Sequence, residues 1–150
     1  MKDVSCYPDV ASLLFHEPPM VLVDRLVSWT DDGKGVRCEV NISRDSMFAE
    51  KDGVPAFVGI EYMAQTIGVY VGALQFEAGL LPKIGYLLGG QSIALNCDRF
   101  TFGQRLVVEA IESWNGGRVV QFDCRITDSI SGSTLVSGLL NCYDPEEKEE

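Results

Sequence analysis

One stretch of this chain limits the folds open to it more than any other. Over residues 54–76 there is no Lys or Arg and few polar side chains, with Pro55 near the start and Gly79 just past the end. Proline suits a first helical turn, where its missing N–H has no partner to lose, and glycine favours the residue after a helix. The spacing predicts a helix over about 55–78, with Ile60, Met63, Ala64, Ile67, Val71 and Leu74 forming a stripe at intervals of three and four that buries one face. The length also suits a membrane span, but Glu61, Gln65 and Gln75 fall inside it and no basic cluster flanks it. The expectation is a core helix and no membrane span.

The remainder reads as strands. A short apolar turn over 10–15 stops at Pro18-Pro19, where helix cannot easily continue. Strands are predicted over 20–29 and 36–42, the second with Val36, Cys38, Val40 and Ile42 alternating against polar neighbours around the turn Asp31-Asp32-Gly33. A polar loop follows over 45–53. After Leu81-Pro82 come strands over 85–96, 104–114, 118–128 and Thr134–Tyr143, joined by the turns Asn115-Gly116-Gly117 and Ser131-Gly132-Ser133. No repeat or linker divides the chain, and helix and strand do not alternate as in a parallel sheet. With 150 residues, 46% of them apolar, one core is expected: an α+β domain over 1–143 with one long central helix wrapped by a roughly six-stranded antiparallel sheet, then an acidic tail over 144–150.

The formal charge of −10, of which the tail supplies −4, argues against a nucleic-acid partner, because phosphate backbones call for concentrated Lys and Arg. Five cysteines, odd in number and never spaced C-x-x-C, argue against a disulfide framework or a zinc site. The first ten residues carry no apolar signal-peptide core. A reduced, cytoplasmic protein is the expectation.

Few residues offer chemistry. Glu61 lies in the opening turns of the most apolar helix with no helical cation to pair it, and burial there would perturb its pKa. At about 100° per residue, Glu61, Gln65, Gly68 and Gly72 fall in one stripe beside the apolar face. Two polar groups are thus followed by two positions without side chains, which admit another backbone or a thin extended ligand. The alternative is that the glycines serve helix packing and Glu61 complements the helix dipole. His16 is the only histidine, so imidazole acid–base work falls to it, although a lone histidine is more often structural. Ser92, Ser113 and Ser133 lack a nucleophile elbow, and the scattered Trp29, Trp114, Tyr62 and Tyr86 read as packing residues.

The run Leu14-Phe15-His16-Glu17-Pro18-Pro19-Met20-Val21-Leu22-Val23-Asp24-Arg25 resembles the LPHRPPMLLIDR opening of bacterial hotdog-fold 3-hydroxyacyl-(acyl carrier protein) dehydratases. Val58-Gly59-Ile60-Glu61-Tyr62-Met63-Ala64-Gln65 resembles the start of their helix, GVLIIEAMAQ, and element order agrees over about 8–143. Within that family the chain is most similar to the subgroup associated with aryl polyene biosynthesis. The resemblance implies a hotdog dimer, homo- or heteromeric with another hotdog protein, that acts on acyl carrier protein-linked or CoA-linked acyl substrates without metal or cofactor. It implies dehydration to trans-2-enoyl thioesters with Glu61 as the catalytic acid; His16 is the candidate to take over as base from the family's own histidine, and the two side chains can come from opposite subunits. Val58 and Gly59 would bind substrate through backbone N–H groups, and Gln65 and Gly68 would line its path. One departure stands out: the family's GHFPG histidine precedes the helix, whereas here the stretch from Met47 to Pro55 has none. Thioester hydrolysis and a non-catalytic subunit therefore remain alternatives. Acidic carrier protein would dock on cations drawn from Lys83, Arg99, Arg105, Arg118 and Arg125.

Overall fold

The structure, a computed structural model, describes residues 3–145. In chain order the elements are α1 (Val10–Leu13), β1 (Arg25–Trp29), β2 (Gly35–Asn41), β3 (Val54–Pro55), a 3-10 turn (Ala56–Val58), α2 (Gly59–Glu77), β4 (Tyr86–Leu95), β5 (Arg99–Phe100), β6 (Arg105–Asn115), β7 (Val119–Asp128) and β8 (Thr134–Tyr143). Six strands form one antiparallel sheet in the order β1-β2-β6-β7-β8-β4, and β3 pairs with β5 in a separate two-stranded ribbon.

The sheet curls around α2, which packs chiefly on β2, β6 and β7. Alternation supplies the inner face: Val36, Cys38 and Val40 on β2, Leu106, Val108 and Ala110 on β6, Phe122, Cys124 and Ile126 on β7 are all buried. This is the expected hotdog architecture, one long helix held by six antiparallel strands. The helix is long and apolar enough to cross a membrane, yet 61% of that window is buried inside the fold.

Three local expectations change. First, the helix buries Tyr62, Met63, Thr66, Ile67, Val69, Tyr70 and Ala73, whereas Leu74 is exposed and Ile60, Ala64 and Val71 are only partly covered. Apolar residues occupy most of its circumference, so spacing alone does not select a face. Thr66 can enter the core because its hydroxyl donates to the Tyr62 carbonyl at 2.8 Å. Second, Pro55 is extended, with ψ 139°, and pairs with Arg99; the helix starts only at Gly59. Third, strand pairing begins at Arg25 and not at residue 20, because the backbone of Met20 and Leu22 is taken by the Gln65 side chain. Of the expected tail, Asp144 is tied back: its N–H donates to the Arg118 carbonyl and its carboxylate accepts from Lys83. Residues 146–150 lie outside the described residues.

Candidate active site

Two glycines of α2 set the position of the chain that carries His16. A Cβ at Gly72 would lie 2.0 Å from the Leu13 carbonyl oxygen, so α1 reaches this helix at a distance only glycine permits. One turn earlier, Gly68 faces the Leu14 side chain. The chain leaves α1 along α2 toward its N-terminus, passes His16, and is caught again at Met20 and Leu22. There Gln65 Nε2 donates to Met20 O and Gln65 Oε1 accepts from Leu22 N, both at 2.7 Å. His16 thus sits on a short loop fixed at both ends.

Held this way, His16 Nε2 stands 3.5 Å from Glu61 Oε1, with the two side chains 41% and 38% exposed. That distance is long for a hydrogen bond, so neither group is committed to the other. Gln65 Nε2 also donates to Glu61 Oε1 at 3.0 Å, which fixes the carboxylate and leaves Oε2 turned to other partners. Glu61 is therefore half-exposed rather than buried as its helix suggested, and one chain brings the two candidate catalytic groups together.

Both face a cavity of about 530 Å³ between α2 and the β7-β8-β4 side of the sheet. Its middle is apolar, with Ala64, Gly68 and Val71 on the helix side and Phe122, Cys142 and Leu87 on the sheet side. Burial raises the Cys142 thiol to about 11, so it stays a neutral wall rather than a nucleophile.

Of the four expected substrate-binding residues, only Gly68 lines this cavity. Val58 and Gly59 are buried; a Cβ at Gly59 would lie 2.9 Å from the Ile126 side chain, and the Gly59 N–H is already directed at the Ala56 and Phe57 carbonyls. Gln65 is fully buried with its amide engaged on both sides, so it positions other groups instead of meeting a ligand. Among the expected docking cations, Lys83, Arg99 and Arg105 are in ion pairs with Asp144, Asp52 and Glu39. Sequence reasoning missed Tyr70, Glu112 and Asn115, which meet at the far end of the cavity. No sequence signal pointed to them: Tyr70 stands half a turn around α2 from Glu61, and nothing in the sequence joined it to β6.

Known proteins share this fold. The chain is similar to the dehydratase heterocomplex ApeI:P from Xenorhabdus doucetiae, with 34% identity, a TM-score of 0.84, and 94% of this chain and 93% of that chain covered. A hypothetical thioesterase from Streptococcus pneumoniae solved with coenzyme A shares the fold at 14% identity, TM-score 0.62, covering 83% of this chain and 88% of that one. So does the PaaI protein of E. coli from the phenylacetic acid degradation operon, at 10% identity, TM-score 0.60, covering 79% and 81%. Residues 8–150 match the ApeP-like family, described as ApeP dehydratase. With those residues spanning nearly all of it, the chain belongs to the ApeP-like family of dehydratases.

Proposed function

We propose that the chain dehydrates 3-hydroxyacyl thioesters, carried on acyl carrier protein or CoA, to trans-2-enoyl thioesters in aryl polyene biosynthesis. The observation that carries this reading is the 3.5 Å approach of His16 to Glu61 at the mouth of an apolar cavity. β-Elimination needs one base at C2 and one acid at the 3-hydroxyl, both within hydrogen-bond reach of the substrate. His16 Nε2 takes the C2 proton, the C2–H electron pair becomes the new C2=C3 bond, and the C3–O bond breaks as Glu61 Oε2 delivers a proton to the leaving oxygen. One water departs. The imidazolium and carboxylate left behind then exchange a proton across their short separation, which resets both groups without metal or redox help. Gln65 supports the assignment of Oε2 as donor, since Oε1 already receives its amide.

The absence of a histidine over residues 47–55 favours a second reading, in which the chain reaches full activity only beside another hotdog subunit. The heterocomplex of the Xenorhabdus relative supports it, as does the exposed apolar edge strand β4, with Tyr86, Leu87, Leu88 and Leu95 open. Five cysteines without a disulfide fit work in the reducing cytoplasm.

The test is intact-mass measurement of a 3-hydroxyacyl carrier protein incubated with the chain alone and with a hotdog partner subunit. Loss of one water with the chain alone establishes a self-sufficient dehydratase; loss only with the partner establishes a dependent subunit. Release of free carrier thiol would replace both with hydrolysis.

A further inference from the structure

The stripe of α2 that carries Glu61, Gln65, Gly68 and Gly72 continues for one more turn to Phe76, beside Glu77 at the helix end. From end to end it meets the N-terminal segment. Gln65 takes the backbone of Met20 and Leu22, Gly68 faces the Leu14 side chain, and Gly72 faces the Leu13 carbonyl. At the last turn the Tyr7 ring packs on Phe76 and Trp29, with centroids 5.9 and 6.2 Å away, and its hydroxyl donates to Glu77. Burial first, and the Glu77 bond second, raise this phenol above its ordinary value, so it stays protonated as the donor.

Between Tyr7 and His16 the chain has little freedom. α1 is a single turn closed at both ends: Asp9 Oδ1 accepts from Ser12 N at 3.1 Å and from Ser12 Oγ at 2.7 Å, and Leu14 N donates to the Val10 carbonyl at 3.0 Å. Such a turn moves as a unit, and it is too short to stand as a helix without outside support. Val10, Leu13 and Leu14 supply part of that support by burial, which is not directional and does not fix how far along α2 the turn sits. Gly68 and Gly72 admit the segment but offer no side chain to grip it. The directional contact is Tyr7 with Glu77, about 24 Å along the helix axis from Glu61.

We infer that Tyr7 is a positioning residue for the base: its bond to Glu77 sets the register of residues 7–16 along α2 and so brings His16 to Glu61 near the opposite end of the helix. The kinetic consequence rests on the dehydratase reading above, whereas the placement of His16 is measurable without turnover.

His16 is the only histidine, so its imidazole signals are unambiguous in NMR spectra of the full chain, or of its complex with a hotdog partner when this chain alone is isotope-labelled. Glu61→Gln should shift those signals in the parent, because the two groups are in contact. In a Tyr7→Ala background the same substitution should shift them by about half as much or less, the mark of a lost coupling. kcat of Tyr7→Ala should fall by about 10–100-fold, as a misplacement of about 1 Å allows. Tyr7→Phe, which keeps the ring, should give a smaller change in the same direction, and it carries the test if the alanine variant does not fold. Glu77→Leu should match it, while Glu77→Gln, which keeps an acceptor oxygen, should stay close to the parent. Thermal unfolding shows which variants fold. A residue that serves stability alone would lower the melting temperature and leave both kcat and the His16 response unchanged, and that result overturns the inference. So does a parent in which Glu61→Gln leaves the His16 signals where they were. A weakened response in Tyr7→Ala, in a chain whose parent releases no water, would sink the dehydratase reading alone; water loss with the full response kept in Tyr7→Ala would sink this one.

Discussion

Gln65 and Glu61 are joined by a 3.0 Å hydrogen bond, and the same Gln65 amide closes on the backbone of Met20 and Leu22 like a strand partner. One buried side chain therefore sets the orientation of the acid and the path of the loop that carries the base. Gln65→Leu keeps the volume but strands the Leu22 N–H and the Met20 carbonyl. We expect a loss of about 2–4 kcal/mol in urea unfolding, because unpaired buried polar groups bear their full desolvation cost. kcat should fall with it; an unchanged unfolding midpoint would show that the loop is held by other means.

Glu61 and His16 should behave as a unit. Glu61→Gln and His16→Ala should each reduce kcat by about 10²–10⁴. Both side chains are about 40% exposed, so stability should change by no more than about 0.5 kcal/mol. The double variant should be little worse than the weaker single one, as for groups that exchange one proton. Multiplying losses in steady-state kinetics would mean that the two act in different steps or on different substrates.

The two helix glycines should not be equivalent. At Gly72 an added Cβ meets the Leu13 backbone oxygen at 2.0 Å, whereas at Gly68 it meets the tip of the Leu14 side chain at 2.8 Å. Gly72→Ala should cost about 3 kcal/mol or displace α1, carrying His16 away from Glu61. Gly68→Ala should be tolerated within about 1 kcal/mol after Leu14 turns aside. Thermal unfolding of the two variants side by side tests the ranking, and equal effects would contradict the close approach of α1.

On the outer face of the sheet, Glu39 is nearly buried and accepts from Arg25 at 3.0 Å, with Arg105 at 3.4 Å. Arg25 holds the Glu39 carboxyl below its ordinary value of 4.5. A carboxylate depressed on folding stabilises the native state above that ordinary value, and the contribution is lost as pH falls through the lowered one. Arg25 is largely solvent-exposed, so Glu39→Gln should cost only about 1 kcal/mol at neutral pH. The difference should narrow once pH falls below 4.5 and vanish in acid below the lowered value. A gap between variant and parent that is the same at both pH values would assign the effect to packing.

The sequence shows some of this plainly and hides the rest for physical reasons. Strand period is explicit in Val36, Cys38 and Val40, because the inner face of β2 takes apolar side chains while the outer face carries Arg37, Glu39 and Asn41. The helix is explicit as an element, but its buried face is not: Tyr62, Thr66 and Tyr70 enter the core through hydrogen bonds or ring packing that hydropathy does not register. His16 and Glu61 can be named from motif resemblance, whereas their contact depends on Gly72 admitting the backbone of Leu13, a distance no pattern expresses. Gln65 was legible as a polar residue on a helix stripe and misleading as a ligand contact, because its partners are main-chain atoms forty-odd residues away.

The two margins of the sheet differ in kind. β1 is only five residues long and begins with Arg25, features that discourage further pairing. β4 is ten residues long and leaves Tyr86, Leu87, Leu88 and Leu95 open. If the proposed hotdog partner pairs along β4, the chain has no single stability: the value rises with the supply of that partner. In a cell, copies made in excess of that supply would spend more time open to proteases, and the amount that accumulates would follow its complement rather than its own synthesis.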